Sequence, residues 1–147
     1  MKNILRIGTW VAVCDGQKAL LFENTGDHVY PKLEMREVLT QDNPPTHAQG
    51  TSPPGHVASA AGRRSAVEGA DYHARAEEAF LRDFAGVLEN NVERHKIARL
   101  VLVAPPRALG HLRQMIPAGA RKVIVAEMDH DYTHLPAYEI EQFLTRL

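Results

Sequence analysis

The sequence predicts a single α/β domain built on a mixed sheet of five strands, with helices on both faces. Three observations predict this class. Two short apolar runs are joined by Asp15-Gly16, a strong hairpin signal. Two further apolar runs, 100–104 and 123–126, are typical of buried parallel strands. The segments before and after those runs have apolar residues at helical spacing. The length of 147 residues is that of one ordinary domain.

The first predicted elements are two strands that form a hairpin. Residues 8–14 are almost continuously apolar, which suits a central strand covered on both faces, and residues 19–22 form a second apolar run. Asp15-Gly16 lies between them, and we expect both turn residues to adopt a positive φ, as a tight hairpin turn requires. The sequence therefore predicts an antiparallel pair of strands at the start of the chain.

A third strand is predicted near 29–39, after a turn at 24–27. Leu33 and Met35 alternate there with polar residues, which is the pattern of a strand with one face in solvent. Pro31 has no backbone N–H to donate, and prolines in sheets are confined mainly to edges. The three strands are expected to form a meander whose third strand lies at an edge of the sheet.

Residues 41–71 have no apolar periodicity and contain many prolines and glycines, among them Pro53-Pro54-Gly55. The sequence predicts a long flexible loop over this range, inside the single domain 1–147. Loops of such length in compact domains are usually functional or disordered. We expect this one to be disordered in the free protein.

Helices and buried strands alternate over the rest of the chain. A long helix is predicted over about 72–94, a buried strand over 100–104, a second helix, and a buried strand over 123–126. A last helix is expected to have Pro136 at its first position. The apolar stripes of the three helices are Ala76, Phe80, Phe84, Val87 and Leu88; Ala108, Leu109, Leu112, Met115 and Ile116, closed by Pro117 and Gly119; and Ile140, Phe143, Leu144 and Leu147.

The predicted element order is β-β-β-α-β-α-β-α. Strand-helix-strand units give parallel strands with right-handed connections. The natural sheet order is therefore 3-2-1-4-5, with the first strand at the centre and helices covering both faces. A mixed sheet of this kind resembles the ribonuclease-H-like fold.

Composition and charge exclude several classes of protein. The formal net charge is -1, so any contact with nucleic acid needs a local basic patch. Cys14 is the single cysteine, which excludes an internal disulfide, and its apolar strand indicates a buried structural thiol. No run approaches the roughly 18 apolar residues of a membrane span, and the basic N-terminus lacks the apolar run of a signal peptide. We expect a cytoplasmic protein that contacts no membrane.

Several stretches resemble the bacterial family of host attachment proteins, almost from end to end. The segment Ala104-Pro105-Pro106-Arg107 with Leu109-Gly110 and Leu112-Arg113 is the most specific part of the resemblance. The other stretches are Trp10-Val11-Ala12-Val13-Cys14-Asp15-Gly16, Ala19-Leu20-Leu21-Phe22 and Glu127-Met128-Asp129-His130-Asp131-Tyr132-Thr133-His134-Leu135-Pro136.

That family is in turn similar to the middle domain of the archaeal and eukaryotic peptide-chain release factors. The resemblance implies the same order of elements and a long loop between the third strand and the first long helix. In the release factors this loop carries a Gly-Gly-Gln tripeptide that enters the peptidyl-transferase centre. Here the loop contains Gln49-Gly50-Thr51, and Gly-Gly-Gln occurs nowhere in the sequence. The resemblance therefore implies the fold without the hydrolytic function.

His130, Asp131 and His134, with Asp129 beside them, are candidate metal ligands. Two histidines four residues apart share a face only in a helix, and these lie in the connection between the last strand and the last helix. The favoured interpretation is a hydrogen-bonded loop in which Asp131 or Thr133 accepts backbone amides. No metal or other cofactor is predicted.

Asp15 with Asp129 or Asp131 suggests a nuclease on a ribonuclease-H-like sheet. Two-metal chemistry needs several carboxylates that converge on the ions. Asp15 is better explained as the turn residue before Gly16, and the buried strand that should supply another acid ends without one. The sequence therefore favours a turn over a nuclease centre.

Four arginines are candidate contacts for phosphate or carboxylate groups: Arg107 and Arg113 near the second helix, and Arg63 and Arg64 in the long loop. Arg107 lies where exposed helix amides favour anions and where ligands gather on open α/β sheets. The alternative is a surface arginine paired with Asp or Glu. The loop pair could contact the RNA backbone.

Asp71 and His73 are the last candidate site residues. With Glu77, they are expected to form an acidic first turn of the long helix, which suits the helix dipole. His73 is a possible base, but no nucleophile stands at a recognisable spacing. The sequence contains no serine-centred elbow, P-loop or dinucleotide fingerprint.

These observations leave more than one class of function open. The favoured hypothesis is a non-enzymatic protein that binds the ribosome or structured RNA through the long loop and Arg107. The alternative is an intracellular protein-interaction module that affects host attachment indirectly. A weaker alternative is a small hydrolase that uses Asp71, His73 or the region of His130 and His134. The sequence does not determine the oligomeric state.

Overall fold

The structure, a computed structural model, describes residues 4–41 and 65–146. Within these ranges the element order is β-β-β-α-β-α-α-β-α. The strands are β1 Trp10–Cys14, β2 Lys18–Asn24, β3 Leu33–Thr40, β4 Leu100–Val103 and β5 Ile124–Met128, and the helices are α1 Ser65–Glu93, α2 Pro106–Met115, α3 Ala118–Arg121 and α4 Ala137–Thr145.

The sheet has five strands in the order β3-β2-β1-β4-β5, as predicted. β2 is antiparallel to both β1 and β3, while β1, β4 and β5 run parallel to one another. The mixed α/β class is therefore confirmed. Because the three parallel strands end at the same edge, the segments that follow β1, β4 and β5 meet there.

Two buried clusters cover the two faces of the sheet. β1 is buried along its whole length, and its side chains alternate between the clusters. The cluster on one side joins Trp10, Ala12, Cys14, Leu21 and Leu102 to Phe80, Phe84 and Leu88 of α1 and Leu109 and Leu112 of α2. The cluster on the other side joins Val11, Val13, Phe22, Val101 and Val103 to Ile140 and Leu144 of α4. Helices thus pack on both faces, as predicted.

The hairpin between β1 and β2 is confirmed, but the expected positive φ at Asp15 and Gly16 is wrong: neither residue has one. The backbone N–H of Asp15 donates to the carbonyl of Lys18 at 2.9 Å. The Oδ1 atom of Asp15 accepts the backbone N–H groups of Gln17 and Lys18, both at 2.8 Å. The turn is therefore stabilised by the aspartate side chain rather than by a left-handed backbone.

β3 is an edge strand, as predicted, but it begins at Leu33 and not near residue 29. The preceding residues belong to a turn organised by Asn24, which is fully buried. Asn24 Nδ2 donates to the carbonyl of Leu5 at 2.6 Å, and Asn24 Oδ1 accepts the N–H of Lys32 at 2.8 Å. Because Asn24 binds the backbone of both Leu5 and Lys32, the residues before Leu33 belong to this turn and not to the strand.

The alternation predicted for β3 holds only at its start. Leu33 is buried, whereas Met35 is 49% exposed. Leu33 and Met35 pair with Asn24 and Phe22 in one register, so they share one face of the sheet although they differ in exposure. The register shift between Leu21 and Phe22 lies beyond Met35, and it changes the inward and outward positions only in the second half of β3.

The long helix begins earlier than predicted. α1 starts at Ser65, so residues 65–71 are helical although the sequence analysis assigned them to the loop 41–71. Once the apolar stripe beyond residue 72 is packed, extending a helix adds one hydrogen bond per residue without a new nucleus. Alanine and glutamate propagate helices well without an apolar stripe. The rest of the predicted loop, 42–64, lies outside the described residues.

A short helix that the sequence did not predict follows α2. Pro117 and Gly119 suggested a helix end, but Pro117 is the N-cap of α3. A guanidinium nitrogen of Arg121 donates to the carbonyls of Arg113 and Ile116, at 2.6 and 2.9 Å. These bonds satisfy carbonyls at the end of α2, which a helix leaves without partners.

The last strand and helix differ from the prediction in detail. β5 lies at the second edge and is half-buried, not buried as expected, because its outer side has no neighbouring strand in the described residues. Pro136 is the N-cap of α4 rather than its first residue. Of the predicted stripe, Ile140 and Leu144 are buried, Phe143 is 39% exposed and Leu147 lies outside the described residues.

Candidate functional site

The candidate site lies at the carboxyl ends of β1, β4 and β5. Two patches lie there: a cluster of Asp15, Asp131, Thr133 and His134, and a small cleft beside Arg107. We call the two patches together the carboxyl-end site. Open α/β sheets bind ligands in this position because loops from several strands converge there.

Thr133 lies between two carboxylates. It is 2% exposed, and its Oγ1 lies 2.6 Å from Oδ1 of Asp131 and 3.3 Å from Oδ2 of Asp15. The backbone N–H of Thr133 also donates to Oδ1 of Asp131 at 3.0 Å. This is the hydrogen-bonded loop expected from the sequence, with Asp131 as the acceptor of a backbone amide. The hydroxyl joins the loop after β5 to the turn after β1.

The structure adds His134 to these carboxylates. Possible ligand atoms of Asp15, Asp131 and His134 all lie within 4.8 Å of one another. Residue types of this kind bind divalent cations in proteins, but both carboxylates already accept hydrogen bonds from the turn and from Thr133. The sequence pairing with His130 is not reproduced, because the His130 ring stacks on Tyr132 at a centroid distance of 5.5 Å.

The negative charges of Asp15 and Asp131 also affect the nearby thiol of Cys14. Cys14 is fully buried at the end of β1. Burial, reinforced by the negative charges of Asp15 and Asp131, raises the pKa of Cys14 from 9.0 to about 12. A thiol with this pKa is protonated at neutral pH and is a poor nucleophile. The expected structural thiol agrees with this geometry.

The cleft beside Arg107 has a volume of about 200 Å³. It is lined by Gly16, Glu77, Leu81, Pro105, Arg107, Ala108 and His111. Nη2 of Arg107 lies 4.0 Å from Oε1 of Glu77, and the Arg107 side chain is 69% exposed. An exposed pair at this distance contributes little to stability. The guanidinium therefore remains accessible to an anion.

Two local features shape the cleft. A Cβ atom on Gly16 would lie 2.8 Å from the carboxyl carbon of Glu77, so a larger residue there would displace the Glu77 side chain. α2 begins after Pro105 with no side-chain cap and no acidic residue in its first turn. No side chain therefore caps the first N–H groups of α2, which favours an anion near Arg107.

Arg113, another predicted site residue, is not part of the carboxyl-end site. Arg113 pairs with Glu127 at 2.7 Å, which is the paired surface arginine that the sequence analysis gave as the alternative. Arg63 and Arg64 lie outside the described residues. Their role in binding stays a prediction.

Asp71 and His73 lie on the exposed side of α1. Asp71 forms an ion pair with Arg75 at 2.8 Å, and both side chains are 68% exposed. The ring of His73 meets that of Tyr72 edge-on, at a centroid distance of 5.8 Å. The expected role of Asp71 in the first helical turn is wrong, because α1 begins at Ser65 and its N-terminal charge has faded by the second turn.

Sequence reasoning missed His111 and the partnership of Asp15 with His134. His111 follows Arg107 by four residues on α2, and this spacing places both on one helix face. That spacing was an available signal. No comparable signal joins Asp15 to His134, because the contact depends on the packing of β1 beside β4 and β5.

One comparison with known proteins identifies the family. The model described as "Bacterial archaeo-eukaryotic release factor family 12" matches residues 8–144, which run from just before β1 into α4. No curated protein matches the chain. The host-attachment name suggested by the first resemblance is not confirmed, whereas the similarity to release factors is. The chain therefore belongs to bacterial archaeo-eukaryotic release factor family 12.

Proposed function

We propose that this chain is a non-enzymatic release-factor-like domain that binds the ribosome through its RNA. The observation that carries the proposal is the family match over residues 8–144, in a sequence without Gly-Gly-Gln. A domain of this family that lacks the tripeptide keeps the architecture of a ribosome ligand and loses the group implied in peptide release. Binding without hydrolysis is the function that remains.

The carboxyl-end site supplies one contact for this role. Arg107 is largely exposed and only loosely paired with Glu77. Arginine binds phosphate with two parallel hydrogen bonds and is favoured in contacts with nucleic acid. Arg63 and Arg64 directly precede α1 in the sequence and are proposed as further backbone contacts. Since the net charge is only -1, such local contacts have to supply the attraction.

Two further observations concern the hydrolase alternative and the location of the protein. Cys14 is buried with a raised pKa, so it does not serve a hydrolase as a nucleophile. None of the helices in the described ranges has the length and apolarity to cross a bilayer. The cytoplasmic location predicted from the sequence is part of the proposal.

The test is sedimentation of the tagged protein from cell lysate through a sucrose gradient. We expect co-migration with ribosomal subunits at low salt and weaker co-migration at moderate salt, because phosphate contacts release counterions. Arg107→Glu, and Arg63→Glu with Arg64→Glu, should move the protein toward the top of the gradient. Arg82→Glu is the control, since Arg82 is exposed on α1 and lies outside the residues that line the cleft.

Two results would contradict the proposal. A position at the top of the gradient at both salt concentrations would exclude stable ribosome binding. An equal loss for Arg82→Glu and Arg107→Glu would show that only the overall charge matters. Salt-tolerant association with a protein and not with ribosomes would instead favour the protein-interaction alternative, because apolar contacts are little affected by screening.

A further inference from the structure

A cleft of about 640 Å³ lies near the start of β1, at the opposite end of that strand from the carboxyl-end site. It is lined by Trp10, Glu23, Arg36, Glu37, Val87, Asn90, Asn91, Arg94 and Lys96. These residues come from β1, β2, β3 and the C-terminal part of α1 with the turn after it. We call this space the Trp10 cleft. Its volume falls in the range of small-molecule sites.

The acidic groups of the cleft are already bound. Glu23 pairs with Arg36 at 3.0 Å. Glu37 accepts a hydrogen bond from Nδ2 of Asn91 at 3.2 Å. Arg36 therefore balances the charge of Glu23, whereas Asn91 is neutral and leaves the negative charge of Glu37 in the cleft.

The two remaining cations have no such partner. Neither Arg94 nor Lys96 forms a side-chain ion pair or hydrogen bond with another residue in the described ranges, and both side chains are exposed. Once the Glu23–Arg36 ion pair is set aside, the cleft carries the charges of Arg94, Lys96 and Glu37, which leave a net charge of +1. Such a site attracts an anionic ligand.

The turn between these two cations holds them in place. His95 has φ 62°, and its N–H donates to the carbonyl of Val92 at 3.0 Å, while the N–H of Lys96 donates to the carbonyl of Asn91 at 2.9 Å. This pair of bonds is a Schellman motif, which ends a helix through one left-handed residue. The motif fixes the backbone on both sides of His95 and so sets the positions of Arg94 and Lys96.

Trp10 lines the cleft, and its indole nitrogen is itself buried. Its side chain is 6% exposed, and its indole N–H has no hydrogen-bond partner among the described residues. The charged groups of Arg94 and Lys96 offer only donors, and the phosphodiester group of RNA offers only acceptors.

We infer that the Trp10 cleft binds the phosphate group of a ligand, with Arg94 and Lys96 as its cationic contacts. Two sources share this chemistry: the backbone of an RNA strand and a free nucleotide. The inference uses neither Arg107 nor the proposed contacts of Arg63 and Arg64, so it does not depend on the proposed function. It assigns a binding role to the end of α1.

The intrinsic fluorescence of Trp10 provides the test, since the chain contains one tryptophan and it lines the cleft. The purified protein is titrated with inorganic phosphate, with AMP and with a single-stranded RNA oligonucleotide. We expect a saturable change in emission. Two phosphate contacts on a single strand predict about sevenfold weaker RNA binding when salt rises from about 50 to 200 mM.

Variants separate the cleft from general charge. Arg94→Gln with Lys96→Gln should weaken binding by about tenfold or more, because both charge-assisted contacts are lost. Arg82→Gln with Arg146→Gln removes the same charge from exposed positions outside the residues that line the cleft and should leave affinity unchanged. Thermal unfolding of both variants confirms that each is folded.

The titrations test the inference and distinguish the two sources of the phosphate group. A response to RNA alone assigns the phosphate to a polynucleotide backbone, whereas a response to AMP assigns it to a free nucleotide. No saturable change with any of the three probes, or equal weakening by both variant pairs, would overturn the inference. If the Arg94→Gln, Lys96→Gln variant still co-migrates with ribosomes, the proposed function is retained. The titrations then decide the role of the cleft independently.

Discussion

His95→Gly is expected to stabilise the protein. His95 holds φ 62° just after the end of α1, in the left-handed region that side chains rarely adopt. Its side chain is exposed, and no hydrogen bond of that side chain to another described residue offsets the strain. The two backbone hydrogen bonds of the turn need only the N–H groups, so glycine preserves them.

The size of the gain follows from two opposing terms. The left-handed conformation costs a residue with a Cβ about 1–2 kcal/mol, and glycine avoids this. Glycine loses about 0.4–1 kcal/mol through the greater freedom of the unfolded chain. The difference predicts that His95→Gly raises the free energy of unfolding by about 0.5–1 kcal/mol. In a chain of 147 residues this corresponds to a rise in Tm of roughly 1–4 °C.

The assay is urea unfolding followed by Trp10 fluorescence, since Trp10 is buried in the folded state. The midpoint should move to higher urea with an unchanged slope, which indicates a change in stability alone. His95→Ala is the matched control, because alanine also lacks the histidine ring but keeps the Cβ, and it should show no gain. If alanine stabilises as much as glycine, the removal of the ring matters and the strain argument is refuted.

The remaining predictions concern two glycines and the buried cysteine. Gly86→Ala should stabilise the protein by about 0.5–1 kcal/mol, because Gly86 lies inside α1 with no atom within 4 Å of an added Cβ. Gly26→Ala should destabilise the protein in the same urea assay, because an added Cβ would collide with the carbonyl oxygen of Tyr30, and equal effects of the two substitutions would contradict this reasoning. The pKa of Cys14 is raised from 9.0 to about 12 in the folded state, so the folded protein keeps this proton over that range while the unfolded chain releases it, and stability should fall as pH rises, by up to about 1.4 kcal/mol per pH unit. Cys14→Ala should have a flatter profile than the wild type between pH 9 and 12, and parallel profiles would contradict the burial of the thiol.

The sheet order was predictable from the sequence because each signal was local. The continuous apolar character of β1 and β4, and the aspartate before Gly16, follow from neighbouring residues alone. The start of β3 depends on a distant contact. β3 begins late because Asn24 ties its turn to Leu5, nineteen positions away in sequence, and no pattern within the strand indicates this bond.

The candidate site shows the same division. Asp131 and Thr133 were expected to form a hydrogen-bonded loop, since aspartate binds backbone amides two positions on. The contact of Thr133 with Asp15 spans 118 positions and depends on the strand order. The Trp10 cleft had no signal at all, because its residues come from three strands and the end of a helix. Local rules predict elements and turns, whereas clefts arise from how the elements pack.

The two ends of β1 differ in the state of their charged groups. At the carboxyl end, Asp15 and Asp131 are held in hydrogen bonds, and the exposed cation Arg107 has a weak acidic partner. At the other end, Arg94 and Lys96 have no side-chain partner among the described residues. Attraction to a polyanion increases with the number of uncompensated cations rather than with net charge. If Arg94→Gln with Lys96→Gln weakens ribosome binding more than Arg107→Glu, the main RNA contact lies at the start of β1, and the reverse order assigns it to the carboxyl-end site.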